Sequence, residues 1–206
     1  MEKVDLYKYE CELWNDGFKN IAGVDEVGRG PLIGPVVTAC VILPHDFVLD
    51  GLTDSKKLSE KKREEYYDYI MKNALSVSVG MMDEKVIDEV NIYEATKLAM
   101  YQAIDNCSIK PDYVLIDAMK LEKLDIPNLP IIKGDSKSIS IAAASVIAKV
   151  TRDRMMLELD RLYPMYGFKS HKGYPTKKHV EAIEKYGLID GYRKTFKPVS
   201  MFLDKN

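Results

Sequence analysis

The chain has 206 residues, of which 46% are hydrophobic and 30% are charged, and its formal net charge at pH 7 is −2. This length fits one large domain, or a compact core with a small appendage, and it can bury a core without disulfides or structural metals. The composition is typical of a globular protein, and the near-neutral total gives no sign of a polyanionic partner.

The charge is unevenly distributed along the chain. Residues 133–206 carry 15 Lys and Arg against 8 Asp and Glu, a net of +7, whereas residues 1–132 carry a net of −9. A basic C-terminal third suits a face that binds a polyanion, but the same residues could simply solvate surface helices. Charge alone favours the second interpretation.

The cysteines and the N-terminal residues indicate in which cellular compartment the protein is expected. The three cysteines, Cys11, Cys40 and Cys107, are odd in number and distant in sequence, which indicates reduced thiols rather than a disulfide framework or a zinc site. The N-terminal residues lack the apolar core of a signal peptide, and the longest apolar stretch, 36–43, is too short to cross a bilayer. We therefore expect a cytoplasmic protein with no membrane partner.

The first predicted elements are a helix over residues 4–16 and a short apolar run over 21–24 that precedes an acidic, glycine-rich turn. Residues 33–43 are rich in β-branched side chains and predict a buried strand. Ser59 is expected to cap a charged helix that ends near Asn73.

The remaining elements alternate and then become helical. Strands are predicted over 75–82, 113–116 and 129–133, and helices over 91–107, from 139 to at least 150, and after Thr176 as far as Gly187. Asn91, with Glu94 three residues later, resembles a capping box. The order predicts an α/β sheet core followed by a helical C-terminal part.

Residues 23–31, GVDEVGRGP, place Asp25 and Glu26 at the end of a short strand, before glycines that free the backbone. A nucleotide-binding phosphate loop is excluded because Arg29 and Gly30 stand where that loop needs Lys followed by Ser or Thr. Two interpretations remain, an ordinary acidic turn and a metal site that opens onto a substrate groove.

Two further acids, Asp117 and Asp135, follow apolar runs in the same manner. An isolated acid at a strand end is usually a turn or cap residue. Three acidic strand ends in one sheet domain favour a metal site, because carboxylates gathered at one edge repel each other unless cations neutralise them. Mg²⁺ and Mn²⁺ prefer such oxygen ligands.

Glu26 is the acid whose contact with metal is least specified. Neighbouring residues on an ideal strand point to opposite faces, so Asp25 and Glu26 could share a metal only where the strand twists or turns. Gly28 and Gly30 make such a turn feasible.

The blocks around these acids resemble those of ribonuclease HII. They are DEVGRGP at 25–31, GPVV at 34–37, DSKKL at 54–58, Asp117, KGDSK at 133–137, AAASVIAKVTRDR at 142–154 and HKGY at 171–174. They stand in the family's order between about residues 20 and 180, so the resemblance covers nearly the whole chain.

The resemblance implies an RNase H-like fold with a central mixed sheet flanked by helices. It implies a catalytic core over residues 1–160 and a helical extension over 161–206 that contributes to substrate binding, unless the two form one continuous domain. The implied activity is endonucleolytic cleavage of RNA in RNA–DNA hybrids and at single ribonucleotides in duplex DNA. Cleavage lies 5′ of the ribonucleotide, leaves 3′-hydroxyl and 5′-phosphate ends, and uses two Mg²⁺ or Mn²⁺ ions. A monomer with a cytoplasmic role in ribonucleotide excision repair is expected.

The resemblance also implies roles for individual residues. The family's four metal-binding acids match Asp25, Glu26, Asp117 and Asp135. The backbone that reads the 2′-hydroxyl matches Gly28, Arg29 and Gly30, and the tyrosine that packs on the next deoxyribose matches Tyr174. Lys56 and Lys57 are both candidates for phosphate contact.

Other polar residues have weaker predictions. The histidines, His45, His171 and His179, lack metal-ligand spacing and are interpreted as surface or packing residues, with His171 also a candidate for substrate contact. Five cations either follow the nucleic-acid backbone or only solvate helices; they are Lys149, Arg152, Arg193, Lys194 and Lys197.

Two alternatives remain open. One is another RNase H-like nuclease such as ribonuclease HIII, whose additional N-terminal domain is expected not to fit in the 20 residues before Ile21. The other is a catalytically inert module that binds RNA–DNA hybrids, against which the complete set of four acids argues.

Overall fold

The computed structural model describes residues 5–52 and 55–203 and centres on a mixed five-stranded sheet with the order β3-β2-β1-β4-β5. The strands are β1 Ile21–Val27, β2 Val36–Ile42, β3 Ser76–Met82, β4 Tyr113–Asp117 and β5 Asn128–Ile131. β2 runs antiparallel to β1 and to β3, whereas β1, β4 and β5 are parallel. The predicted α/β fold with a central mixed sheet is confirmed.

Helices cover both faces of the sheet. They are α1 Lys8–Asn15, α2 Glu60–Asn73, α3 Glu84–Asp105, α4 Ile139–Leu162, α5 Phe168–His171, α6 Lys177–Tyr186 and α7 Val199–Leu203. On one face α4 packs against β1 and β2 with α2 beside it, and on the other α3 packs against β2 and β3. The predicted helical C-terminal part is confirmed. Among the described residues, every helix is too short or too polar to span a lipid bilayer.

The close contact between α4 and β1 depends on small residues. A Cβ on Gly23 would overlap the backbone of Ser140 and Ile141, so only glycine lets the helix lie this near the strand. Along α4 the alanines at 142–144 are fully buried, and their small side chains let the helix lie close to the sheet. The contact brings Ser145 of α4 next to the end of β1.

The predicted helix caps are found, but one of them lies inside a longer helix. The Ser59 hydroxyl accepts a hydrogen bond from the N–H of Lys62, as expected for α2. Asn91 Oδ1 accepts from the N–H of Tyr93 and Glu94, yet α3 already begins at Glu84. Asn91 has a φ of 71°, so α3 consists of two helical segments joined at a kink. The second segment begins after Asn91 as predicted, whereas the first segment, 84–90, was not predicted.

Two strand boundaries also differ from the prediction. β2 begins at Val36 rather than at residue 33, because Gly34 has a φ of +82° and its N–H donates to Gly191 instead of entering the sheet. β5 ends at Ile131 because Lys133 adopts a φ of 57° and turns the chain into a short 3₁₀ helix, Gly134–Ser136. Asp135 therefore lies on this helix and not directly at a strand end.

The segment after α4 packs onto the loop between β1 and β2. Leu32 and Ile33 from that loop join a buried cluster with Phe168 and Ile183, and Ile33 forms a β-bridge with Tyr192. Because α4 runs without a break to Leu162, it crosses the boundary expected at residue 160. The division into two parts stays a prediction.

Candidate active site

Asp25 and Asp117 lie next to each other at the ends of β1 and β4. The parallel register pairs Val24 with Ile116, so the next residue on each strand is an aspartate. Leu115 packs toward Ile141 of α4, and the alternation of a strand places Asp117 on that same face. Asp25 lies on this face as well, because Ile21 and Gly23, at alternate positions before it in β1, both pack against α4. Asp25 is 6% exposed and Asp117 is half-buried.

Glu26 joins these two acids although strand alternation points it to the opposite face. Carboxylate oxygens of Asp25, Glu26 and Asp117 all lie within 4.8 Å of one another. Glu26 is one residue from the end of β1, where its longer side chain can reach the space beside the aspartates. Asp25 and Glu26 are therefore close enough to bind the same metal ion, although they are neighbours on a strand.

Burial and mutual repulsion dominate the electrostatics of this cluster. Burial, followed by the charges of Glu26 and Asp117, raises the pKa of Asp25 well above its usual range. Burial also raises the pKa of Glu26, against the opposing effect of Arg29, whose Nη1 lies 3.6 Å from Glu26 Oε1. The three carboxylates offer only oxygen ligands, and their negative charges repel one another unless a cation is bound. Such a site fits a hard divalent ion.

Asp135 lies outside this group of three but lines the cleft beside it. The cleft has a volume of about 490 Å³, and its walls include Lys56, Asp117, Lys133 and Asp135. The N–H of Gly134 donates to Asp117 Oδ1 at 2.7 Å, which fixes the 3₁₀ helix next to the end of β4. The structure thus brings three of the four predicted acids together and places the fourth on the wall of the adjoining cleft.

Lys56 is the better supported of the two lysines predicted to contact phosphate. Its side chain is exposed and lines the cleft, and its charge partly opposes the rise that burial causes in the pKa of Glu26. The preceding Ser55 is fixed by a 2.8 Å hydrogen bond between its hydroxyl and that of Ser145. The side chain of Lys57 lies outside the described part of the structure, so its role stays a prediction.

The glycine-rich loop and Tyr174 meet at one end of the acid cluster. Gly28 is buried and has a φ of +95°, and a Cβ there would come within 2.7 Å of Arg152 Cδ. Gly30 is exposed, and a Cβ on it would lie 3.2 Å from Cε1 of Tyr174, whose side chain is 39% exposed. Because Arg29 lies beside Glu26, the residues predicted to read the sugar are adjacent to those predicted to hold metal.

The histidines serve packing or lie on the surface, as predicted. His171 and His179 are buried and stack with ring centroids 4.3 Å apart, whereas His45 is exposed and stacks on Trp14. Both ring nitrogens of His171 are within hydrogen-bond distance of backbone atoms, Tyr166 O at 2.9 Å and Gly173 N at 3.2 Å. Neither nitrogen is left for substrate contact.

Three residues that contact the acids or the glycine-rich loop were missed or misjudged from sequence. Ser145 supports Asp25 by a side-chain hydrogen bond that favours the ionised carboxylate. Arg152 and Arg193 were expected on the surface, and this was wrong, since both are 0% exposed and donate to backbone carbonyls within the protein. One signal was present: Arg152 follows Ser145 by seven residues, which is two helical turns on the same face of α4.

Comparison with known proteins identifies the family. The family model for ribonuclease HII matches residues 22–199. Ribonuclease HII of Bacillus mycoides (strain KBAB4) is 58% identical over 202 residues, which cover 98% of this chain and 78% of that protein. Its counterpart in Bacillus cytotoxicus is 59% identical over 196 residues, 95% of this chain and 75% of the relative.

Solved structures of ribonucleases H also resemble this chain in fold. Ribonuclease H2 from Pyrococcus horikoshii OT3 superposes with a TM-score of 0.78 at 27% identity, covering 90% of this chain and 98% of that one. Ribonuclease HII in the PCNA complex from Archaeoglobus fulgidus gives 0.74 at 27% identity, covering 91% and 100%. Bst-RNase HIII in complex with Mn²⁺ gives 0.66 at 20% identity, covering 92% and 70%, and shows the fold alone. The chain therefore belongs to the ribonuclease HII family and is a ribonuclease H endoribonuclease.

Proposed function

We propose that this enzyme hydrolyses the RNA strand of RNA–DNA hybrids and also cuts duplex DNA that contains a single ribonucleotide. Cleavage falls on the 5′ side of the ribonucleotide and leaves 3′-hydroxyl and 5′-phosphate ends. One observation carries the proposal: a carboxylate cluster within 4.8 Å lies directly beside an exposed loop, Arg29 and Gly30, that is backed by Tyr174. The cluster suits phosphodiester hydrolysis, and the loop suits recognition of a ribose.

The acids are proposed to hold divalent metal. Asp25, Glu26 and Asp117 would provide the first ligands, and Asp135 would join them from the adjoining cleft. Two Mg²⁺ or Mn²⁺ ions bound there would supply activation of the attacking water and stabilisation of the leaving 3′ oxygen. The chain's own contribution is to orient the carboxylates: Ser145 and the N–H of Glu26, 2.7 Å from Asp25 Oδ1, stabilise ionised Asp25.

The surrounding residues are proposed to position the nucleic acid. Lys56, exposed at the cleft, would contact a phosphate next to the scissile bond, where its charge opposes that of the acids. The N–H groups of Arg29 and Gly30 would contact the 2′-hydroxyl, which distinguishes RNA from DNA. The partly exposed ring of Tyr174 would pack on the following deoxyribose, so the C-terminal part contributes directly to substrate binding.

Product mapping on end-labelled duplexes tests the proposal. Three duplexes of one sequence are compared, with no ribonucleotide, with one, and with a continuous RNA strand. With Mg²⁺ or Mn²⁺ we expect a single cut 5′ of the lone ribonucleotide, multiple cuts in the RNA strand, and none in the all-DNA control. Cutting of the RNA strand only would contradict the single-ribonucleotide activity. Binding without cutting in either metal would instead indicate an inert hybrid-binding module.

A further inference from the structure

We infer that Arg193 is a positioning residue that directs the backbone N–H groups of Arg29 and Gly30 outward, toward the ribose of the substrate, and that Arg152 positions the rest of that loop and the turn before Tyr174 around them. The inference rests on the proposed function of that loop as the reader of the 2′-hydroxyl. It concerns two side chains that do not themselves reach the surface, since both are 0% exposed.

Arg193 binds the carbonyl oxygens of the glycine-rich loop directly. Its Nη2 donates to Gly28 O at 2.6 Å and its Nη1 donates to Arg29 O at 3.0 Å. The same guanidinium donates to Gly34 O from Nε at 3.0 Å and from Nη2 at 2.8 Å. One side chain, about 160 residues further along the chain, therefore holds both ends of the loop.

Arg152 extends this arrangement to the turn that carries Tyr174. Its Nε donates to Pro35 O at 3.1 Å and its Nη2 donates to Ile33 O at 3.1 Å. Its Nη1 donates to Lys172 O at 2.9 Å, two residues before Tyr174. The loop and the aromatic ring beside it are thus fixed by the same residue of α4.

The direction of the N–H groups follows from the planarity of the peptide bond. In a trans peptide the C=O of one residue and the N–H of the next point in opposite directions. Because Arg193 draws the carbonyls of Gly28 and Arg29 inward, the N–H groups of Arg29 and Gly30 point outward. Both residues are exposed, and no acceptor for these two N–H groups exists within residues 5–52 and 55–203.

The buried charges also strengthen these donors. Among the described residues, neither arginine forms an ion pair with an acid, so each guanidinium charge acts on the carbonyl oxygens that it contacts. For Arg193 these include the carbonyls of Gly28 and Arg29. Burial lowers the pKa of Arg152 to about 10 and that of Arg193 to about 9, so both stay protonated at neutral pH. A carbonyl that accepts a charged hydrogen bond polarises its peptide, and the N–H on the other side becomes a better donor.

Binding selectivity separates positioning from simple structural support. In an Asp25→Asn background, in which cleavage is expected to be at least about a hundredfold slower, dissociation constants are measured in EDTA for the single-ribonucleotide duplex and for the all-DNA duplex. Arg152→Lys and Arg193→Lys keep the charge but cannot reach several carbonyls at once. We expect each to reduce the preference for the ribonucleotide by about fivefold, the value of one hydrogen bond, with affinity for all-DNA duplex unchanged. Arg161→Lys, an exposed residue of the same helix, is the matched control.

The outcomes are distinct. A preference that survives both substitutions, or affinities for the two duplexes that fall together, would overturn the inference. Should the variants not fold by circular dichroism, amide exchange in the Asp25→Asn chain decides: the N–H groups of Arg29 and Gly30 must exchange fast alone and slowly with the ribonucleotide duplex. Slow exchange without duplex would overturn it. A chain that neither cuts nor prefers the ribonucleotide before any arginine is changed would instead refute the proposed function, and this inference with it.

Discussion

Asp25 and Asp117 occupy matching positions on two parallel strands, one residue beyond the paired Val24 and Ile116. The sheet thereby brings two carboxylates to one point, and Glu26 adds a third within 4.8 Å. Asp25 is also buried, so its charge is opposed by desolvation as well as by its neighbours. The cluster therefore opposes folding of the metal-free protein, and a bound cation or the loss of one charge should relieve it.

Replacing Asp25 by Asn tests this directly. The amide keeps an oxygen for the N–H of Glu26, now 2.7 Å from Asp25 Oδ1, but it removes the charge. We expect cleavage to fall by at least about a hundredfold, since loss of a residue that merely supports a metal ligand already costs about ten- to a hundredfold. The melting temperature in EDTA should be unchanged or higher. Asp46→Asn, at an exposed position, is the control. Normal turnover by Asp25→Asn would refute the metal assignment.

Divalent metal should stabilise the unsubstituted protein. A ligand that binds only the folded state at a hundred times its dissociation constant adds about 2.7 kcal/mol of stability. For a chain of this size that raises the melting temperature by about 5–10 °C. Calorimetry with Mg²⁺ or Mn²⁺, compared with NaCl at equal ionic strength, measures the shift. Asp25→Asn should lose most of it, and an equal shift in that variant would place the metal elsewhere.

Local sequence signals were sufficient for much of this fold. Helical periodicity identified α4, Ser59 caps α2 as predicted, and acids lie at the ends of β1 and β4, as their placement after apolar runs indicated. These features depend on residues near one another in the chain. The segment of α3 that precedes Asn91 was nevertheless not predicted, because the capping signal at Asn91 also marks a kink inside a longer helix.

Long-range contacts could not be read from the sequence. Arginine is normally a surface residue, so nothing indicated that Arg152 and Arg193 would be buried against backbone carbonyls up to 165 residues away. Alternation alone pointed Glu26 away from Asp25, and only its place near the strand end overcomes that rule. Cys40 and Cys107, distant in sequence, have sulfur atoms 3.3 Å apart.

Stability should depend on pH through His179. Burial lowers the pKa of this imidazole from 6.5 to about 4 in the folded protein. Its Nδ1 lies 2.8 Å from Tyr174 O and its Nε2 lies 2.8 Å from the Tyr192 hydroxyl, so the neutral ring donates to the carbonyl and accepts from the phenol.

The unfolded chain binds the proton near pH 6.5, so the contribution of His179 to stability is fully present above that pH. It should decline as pH falls from about 6.5 to about 4. Melting temperatures between pH 7.5 and 4 measure this decline, which should be shallower in His179→Gln. His45→Gln, at an exposed position, should leave the slope unchanged. An unchanged slope in His179→Gln would show that the ring does not titrate in this window.

Gly28 should be far less replaceable than a glycine of the same backbone conformation elsewhere. Gly17 and Gly28 have φ values of +96° and +95°, but a Cβ on Gly17 meets nothing within 4 Å, whereas one on Gly28 overlaps the Arg152 side chain. Gly17→Ala therefore measures the backbone cost alone, about 1 kcal/mol. We expect Gly28→Ala to cost about 2–4 kcal/mol, because displacement of a packed side chain is added. Urea unfolding measures both. Equal losses would mean that the loop does not depend on close contact with Arg152, whereas the expected difference would show that the conformation of the glycine-rich loop and the position of the buried guanidinium are coupled.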